Sequence, residues 1–357
     1  MNVELTKNFV EKIFNNTRIV PALVGVKGIG KTEAVKQLAD RMGIGYQAIY
    51  PSSLQGEDFM GLLIKDLESR TTQYLAPDFF PTQNAIDKGL FPEKGILVLE
   101  ELNRSDTQTI SALFPLLQER RINNHELAEG WHLMVCMNPE TLEYTTNTID
   151  NAGMDRILPI NVEPDLDEYA NFMIRSGQNN DSILNFLYIN RDMFNMDKIT
   201  DDGSKTPSPR GWTKTADVMN NCELTDEELN TTLLGLVGPE AAAAYIGFLK
   251  DKDIHYPDAD EILNNYGDRQ IAIVRDIMLK FRYDVLTLTL RRLALEADPD
   301  NETHMKNLNM FASDLDSETK IVFVRILLAE RKDEFSKILS KMPEFQKEVS
   351  SKLMALI

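Results

Sequence analysis

Gly25-Val26-Lys27-Gly28-Ile29-Gly30-Lys31-Thr32 fits the pattern G-x-x-x-x-G-K-[ST] at every fixed position. Glycines at these steps let backbone N–H groups turn inward around a phosphate. A helix leaving the loop adds the positive end of its dipole. Lys31 is placed to reach the β and γ phosphates of a nucleotide, and the Thr32 hydroxyl to ligate Mg²⁺. The residues expected to meet the nucleotide are Gly25, Gly28, Ile29, Gly30, Lys31, Thr32 and Glu33. A glycine-rich turn with a chance Lys-Thr would read the same, but an apolar run enters this loop and a helical pattern leaves it.

A second group of polar residues follows apolar runs. Ile96-Leu97-Val98-Leu99 ends in Glu100-Glu101. A buried strand delivers its last residues to the carboxyl edge of a sheet, where open α/β sheets bind ligands. One carboxylate of the pair Glu100-Glu101 can hold the water shell of Mg²⁺ there, and its neighbour can polarise a water for attack on the γ-phosphate. The same pair would also suit an acidic first helical turn. Asn138 closes Val135-Cys136-Met137 and can orient the attacking water, or can simply start the turn at Pro139. Asp155-Arg156 offers a guanidinium to charge developing on a phosphoryl group, against the plainer reading of a surface ion pair. Arg210, in Ser208-Pro209-Arg210, stands at a helix start, where its charge opposes the dipole and so favours a functional role.

These residues need a scaffold, and the hydrophobic pattern supplies one. Residues 1–165 alternate short apolar runs with helical patterns, as parallel strands joined by crossover helices do. Glu4 to Asn15 reads as a helix with Leu5, Phe9 and Ile13 on one face. Strands are expected at Pro21–Val24, Ile96–Leu99, His132–Met137 and Ile157–Val162, and a helix at Lys31–Met42 capped by Gly43. Asn123-Asn124 can turn a hairpin within Arg121–Leu127. Helical patterns dominate from about Pro164. They include a loop at Thr200–Pro209, a capping box at Thr225-Asp226-Glu227-Glu228, and a helix through the alanine run 241–248. Phe281, Tyr283, Leu286, Leu288 and Leu290 read as core, with a strand over Val285–Leu290 as the lesser alternative. Ser313–Ile357 reads as two amphipathic helices broken near Pro343.

The 357 residues suggest two or three domains, and 43% hydrophobic with 26% charged residues supports a sizeable core. That composition excludes disordered and collagen-like classes. No apolar run approaches the roughly 20 residues of a membrane helix, and Met1-Asn2-Val3-Glu4 does not open a signal peptide. Two cysteines argue against a disulfide framework and suit a reducing cytoplasm, and the scattered histidines give no zinc spacing. A net charge of −18 disfavours sequence-independent binding to nucleic acid.

In order along the chain, Gly25–Thr32, Ile96–Glu101 with Leu102-Asn103-Arg104, Asn138-Pro139, Asp155-Arg156 and Ser208-Pro209-Arg210 resemble AAA+ ATPases. The Glu-Leu-Asn-Arg run, Gln118-Glu119-Arg120 and Met137-Asn138-Pro139 look like the MoxR branch. The resemblance covers about residues 15–220. It implies an AAA+ P-loop fold: a three-layer αβα domain over 1–165, a helical lid over 166–225 and a C-terminal helical extension over 226–357. It further implies ATP hydrolysis with Mg²⁺ in a homo-oligomeric ring, a hexamer, that remodels or activates a partner complex. A protein with a von Willebrand factor A domain is the partner it suggests.

On this chain the resemblance makes Glu100 the support of the metal, Glu101 the base, Asn138 the water-positioning amide, Arg156 a finger acting on the neighbour's ATP, and Arg210 a sensor of the γ-phosphate. Arg104 and Arg121 are substitutes for the finger, and the 121–127 hairpin resembles an insertion that faces the ring's pore. Glu100 departs from the usual Asp, and Ile157 from the Phe that often follows the finger. Two alternatives stand beside this reading: an NTPase subunit associated with nucleic acid, for which Arg120 and Arg121 speak, and a nucleotide-binding scaffold with little turnover, for which Glu100 speaks.

Overall fold

The computed structural model describes residues 1–66, 70–139, 149, 151–196, 204–251 and 255–353. Nine strands are present among them: β1 Val20–Val24, β2 Gly45–Ile49, β3 Leu62–Asp66, β4 Thr71–Leu75, β5 Gly95–Leu99, β6 Arg121–Ile122, β7 His125–Glu126, β8 Trp131–Met137 and β9 Ile157–Asn161. Five form one sheet in the order β2-β5-β8-β1-β9, with every neighbouring pair parallel. β3 with β4 and β6 with β7 form separate antiparallel hairpins.

The apolar runs are buried on both faces because helices cover both. On one face Ile96, Val98, Met134 and Cys136 pack with Val10, Ile13 and Phe14 of helix Val3–Asn16 and with Val35 and Leu38 of helix Lys31–Met42. On the other, Leu97, Leu99, Leu133, Val135 and Met137 pack with Ile110, Leu113, Leu116 and Leu117. Successive strand residues point to opposite faces, so a continuous apolar run is what a two-sided sheet requires. The expected three-layer α/β arrangement is therefore present.

Two compact units divide the chain. The first is Met1–Glu168 together with Ser208–Arg210. The second comprises Tyr169–Met196 and the residues from Gly211 onward, and all its regular elements are helical. Its core includes helix Tyr283–Glu296, which buries Val285, Leu286, Leu290 and Leu293, and Phe323, which meets Phe311 edge to face and Phe345 at a tilt. In the same unit Arg292 is held by Asp181, Asp260 and Glu296, a buried charge with three carboxylates. Among the described residues no helix is long and apolar enough to cross a membrane.

Several expectations change. The first helix turns Thr6, Val10, Ile13 and Phe14 inward, while Leu5 and Phe9 are exposed; its buried stripe is offset by one residue from the one inferred. Phe281 is not core: it is 75% exposed, at φ +55° beyond helix Asp268–Leu279. Val285–Leu290 is helical, as its flanks dictate. The C-terminal stretch contains three helices, Ser317–Glu330, Phe335–Ser340 and Pro343–Leu353, because a further break falls at Arg331–Glu334. The strand β2 and the β3–β4 hairpin were not anticipated. Part of the Thr200–Pro209 loop lies outside the described residues, as do residues 354–357 of the tail.

Candidate nucleotide site

β1 runs into the glycine loop, and helix Lys31–Met42 leaves it. Gly28 and Gly30 adopt φ +80° and +91°, a region open to glycine at little cost. A Cβ on Gly25 would meet Ile29 Cδ1 at 2.5 Å and the Val162 carbonyl at 2.8 Å, so that glycine is needed for close packing beneath the loop. A Cβ on Gly28 would stand 3.2 Å from both Arg210 Cβ and Ser208 Oγ. Bare backbone thus lines this concavity where a phosphate needs N–H donors.

Lys31 Nζ donates to the carbonyls of Gly25 at 2.5 Å and Val26 at 3.0 Å, and to Asn138 Oδ1 at 3.2 Å. Burial pushes its pKa down, against the opposing pull of Cys136, Glu100 and Glu101. Lys27, Gly28, Gly30, Lys31, Thr32, Glu100, Glu101, Cys136, Met137, Asn138 and Arg210 line a single cavity. Arg210 is tied to the loop by its N–H, which donates to the Gly28 carbonyl at 3.1 Å.

Glu100 follows β5 directly and is 3% exposed. Burial raises its pKa; hydrogen bonds from the Thr32 hydroxyl and the Cys136 thiol oppose that shift. Its Oε1 is buried with no protein partner. A hydroxyl and an unsatisfied carboxylate oxygen side by side form a hard-oxygen donor set of the kind Mg²⁺ takes, completed by phosphate and water. Among the described residues no cluster of three His, Cys, Asp or Glu side chains offers a dedicated metal cage. The pair Thr32–Glu100 fits a cation that arrives with its substrate.

Glu101 sits at φ +54°, ψ +38°, a left-handed corner unusual for a residue with a side chain. The corner turns the chain sharply from β5 into the one-turn helix Leu102–Arg104. It leaves the Glu101 carboxylate at the cavity, paired with Arg104 at 2.8 Å. Asn138 lies one residue past β8.

The expected residues are not all together. Lys31, Thr32, Glu100, Glu101, Asn138 and Arg210 share the cavity, as do Gly28 and Gly30. Ile29 is buried under the loop, and the exposed Glu33 side chain accepts a hydrogen bond from Gln37. Arg156 lies outside the cavity: its Nε donates to Gln118 Oε1 at 3.0 Å and its guanidinium covers the Phe114 ring at 4.7 Å. Arg121 is paired with Glu119.

Two residues were missed. Cys136 suggested a compartment, yet it donates to Glu100 at the cavity floor; burial, then Glu100, pushes its thiol pKa well up. Its spacing of two from Asn138 on one strand was the available signal. Asn103 was quoted only as part of a run, and it bonds both peptide groups of Asn138. No local sequence signal marks that pairing.

Residues 22–157 match the family described as AAA domain (dynein-related subfamily). No curated protein matches the chain. Among solved structures, the chain is similar to the Thermotoga maritima RuvB Holliday junction branch migration motor, at 11% identity over 78% of this chain and 76% of that one, TM-score 0.35. It is also similar to a Cytophaga hutchinsonii protein assigned as an ATPase, at 16% identity over 88% and 96% of the two chains, TM-score 0.32. At these scores neither neighbour bears on the fold or the activity. The phosphate loop and most of the parallel sheet fall within residues 22–157, the stretch that is similar to the AAA domain family.

Proposed function

We propose that this chain is a MoxR-like AAA+ ATPase that hydrolyses ATP in a hexameric ring and uses the turnover to remodel or activate a partner protein complex. The observation that carries the reading is the convergence of Lys31, Thr32, Glu100, Glu101, Asn138 and Arg210 on one cavity. Residues 166–225 then serve as the lid and 226–357 as an extension available to a partner, for which a von Willebrand factor A-domain protein is the class we infer. Two cysteines outside any disulfide suit work in the cytoplasm.

In this reading the bare backbone at Gly28 and Gly30 cradles the phosphates, and Lys31 exchanges its carbonyl partners for β and γ oxygens. Thr32 and Glu100 would hold Mg²⁺, which supplies charge neutralisation at the phosphates when bound. Glu101 takes the proton from the attacking water, and the Asn138 amide orients that water. Arg210 follows the γ-phosphate from its bond to Gly28. Arg156, outside its own cavity, serves the neighbouring subunit's ATP.

The test is ATP turnover across a protein concentration series, with the mass measured in parallel with and without ATP·Mg²⁺. Turnover that rises with ring assembly supports shared sites. Tight ATP binding without turnover at every assembly state supports the scaffold instead. Salt-sensitive DNA affinity with a slope of several charges would support the nucleic-acid NTPase.

A further inference from the structure

At Asn138 the sheet gives out. β8 pairs with β1 as far as Met137, opposite Val24, and with β5 only as far as Val135, opposite Leu99. The last backbone bond to the β1 side is from the Gly25 N–H to the Met137 carbonyl, so the N–H and C=O of Asn138 itself lie beyond the ladder. A buried N–H and C=O there must find partners elsewhere. Both find the same side chain. Asn103 Nδ2 donates to the Asn138 carbonyl at 2.8 Å, and Asn103 Oδ1 accepts from the Asn138 N–H at 3.3 Å. A carboxamide carries donor and acceptor in one plane, as a peptide does. Asn103, 1% exposed, thus acts as one more strand residue for β8. The residue so held turns its own Oδ1 to Lys31 Nζ at 3.2 Å.

We propose that Asn103 is a positioning residue for hydrolysis: by bonding both peptide groups of Asn138 it fixes the water-orienting amide relative to Lys31 and Glu101. The proposal rests on the catalytic reading of Glu101 and Asn138 given above. Asn103 never lines the cavity itself and acts through Asn138. The turn that presents it starts at the left-handed corner of Glu101, so the base and the residue that sets the amide hang from one bend in the chain. A substitution at Asn103 removes no group that lines the cavity and reaches the site only through Asn138. It should spare binding and slow chemistry.

The experiment measures kcat and ATP affinity for wild type, Asn103→Ala, Asn138→Ala and the double variant. Asn103→Ala is expected to lower kcat about 10- to 100-fold, the size of effect that misplacing a reacting group produces. ATP affinity should stay within about threefold, because the lost interaction matters in the transition state. The double variant should be no slower than Asn138→Ala alone, since residues acting as a unit are not additive. Wild-type kcat in Asn103→Ala, losses that multiply in the double variant, or a loss confined to affinity would each overturn the proposal. Should Asn103→Ala fail to fold, Asn103→Asp replaces it. It keeps the acceptor for the Asn138 N–H but sets an oxygen against the Asn138 carbonyl, so the same fall in kcat is expected and wild-type kcat overturns the proposal. A wild type that binds ATP without turnover overturns the hydrolytic reading and this proposal together; turnover unaffected at Asn103 overturns this proposal alone.

Discussion

Lys31 and Asn138 are bonded across the site, Nζ to Oδ1 at 3.2 Å. The ammonium of the phosphate loop is thereby linked to the end of β8, a strand that lies beside β1 in the sheet. A phosphate that recruits Lys31 must draw it from Asn138 as well as from the carbonyls of Gly25 and Val26. A phosphate bound in the loop would therefore compete with Asn138 for Lys31.

Lys31→Ala is expected to cost most of the nucleotide affinity. A hydrogen bond to a charged group is worth about 1.5–3 kcal/mol, so the dissociation constant should rise roughly 10- to 150-fold. Titration with a fluorescent ATP analogue measures it, with the thermal midpoint as a check on folding. Affinity at the wild-type value would remove Lys31 from the phosphate site.

Glu101→Gln should bind ATP near the wild-type level and turn it over about 10²- to 10⁴-fold more slowly, the range general-base catalysis contributes. The variant weakens only an exposed ion pair to Arg104, and exposed pairs contribute little to stability. Full activity in Glu101→Gln would take the base away from this residue.

If the guanidinium serves a neighbour, as proposed, Arg156→Ala should hydrolyse poorly and also poison rings in which it is mixed with wild type. Its position over Phe114 and against Gln118, away from its own cavity, motivates the expectation. A rate that is independent of protein concentration, with no dominance on mixing, rules out action in trans.

His132 predicts a pH dependence of stability. It stacks on Phe14 at 4.4 Å, and burial lowers its pKa, with Arg120 adding to the effect. The folded state then binds the proton more weakly than the unfolded state. Its contribution is complete above the unfolded value of about 6.5 and is lost as pH falls below that toward the lower folded value. The thermal midpoint of wild type minus that of His132→Phe, followed from pH 8 to pH 5.5, should decline across that window. A flat difference would show that His132 titrates alike in both states.

The sequence revealed the parts of this molecule whose signals are local. β5 and β8 are uniformly apolar because helices cover both faces, and the loop between β1 and helix Lys31–Met42 carries its own glycine pattern. Asn123, at φ +50°, turns β6 into β7 as its tolerance of that region suggests. β2 escaped because it lies at the sheet edge: it opens with Gly45, contains Gln47, and buries fully only Ile49. The β3–β4 hairpin leaves Leu62, Leu63 and Leu75 exposed, so its apolar residues mark no core face. Asn103 and Asn138 are distant in sequence and meet only because β5 and β8 are sheet neighbours, which no periodicity encodes. Glu100 and Glu101 read as an adjacent pair, but their unlike environments follow from the corner between them.

The β6–β7 hairpin has one more consequence, which concerns force. It is pinned twice: at its tip Asn123 Nδ2 donates to the carbonyl of Met60, the last residue of helix Gly56–Met60, at 2.6 Å, and in β7 His125 Nε2 lies against the Tyr74 carbonyl of β4 at 2.6 Å. On one side the chain runs straight back into helix Phe114–Glu119, whose Phe114 and Gln118 hold Arg156. On the other it runs through the seven residues of β8 to Asn138. A pull on the β6–β7 hairpin would be carried along the chain in two directions, toward Arg156 through helix Phe114–Glu119 and toward Asn138 through β8. The segment 114–138 works as a yoke.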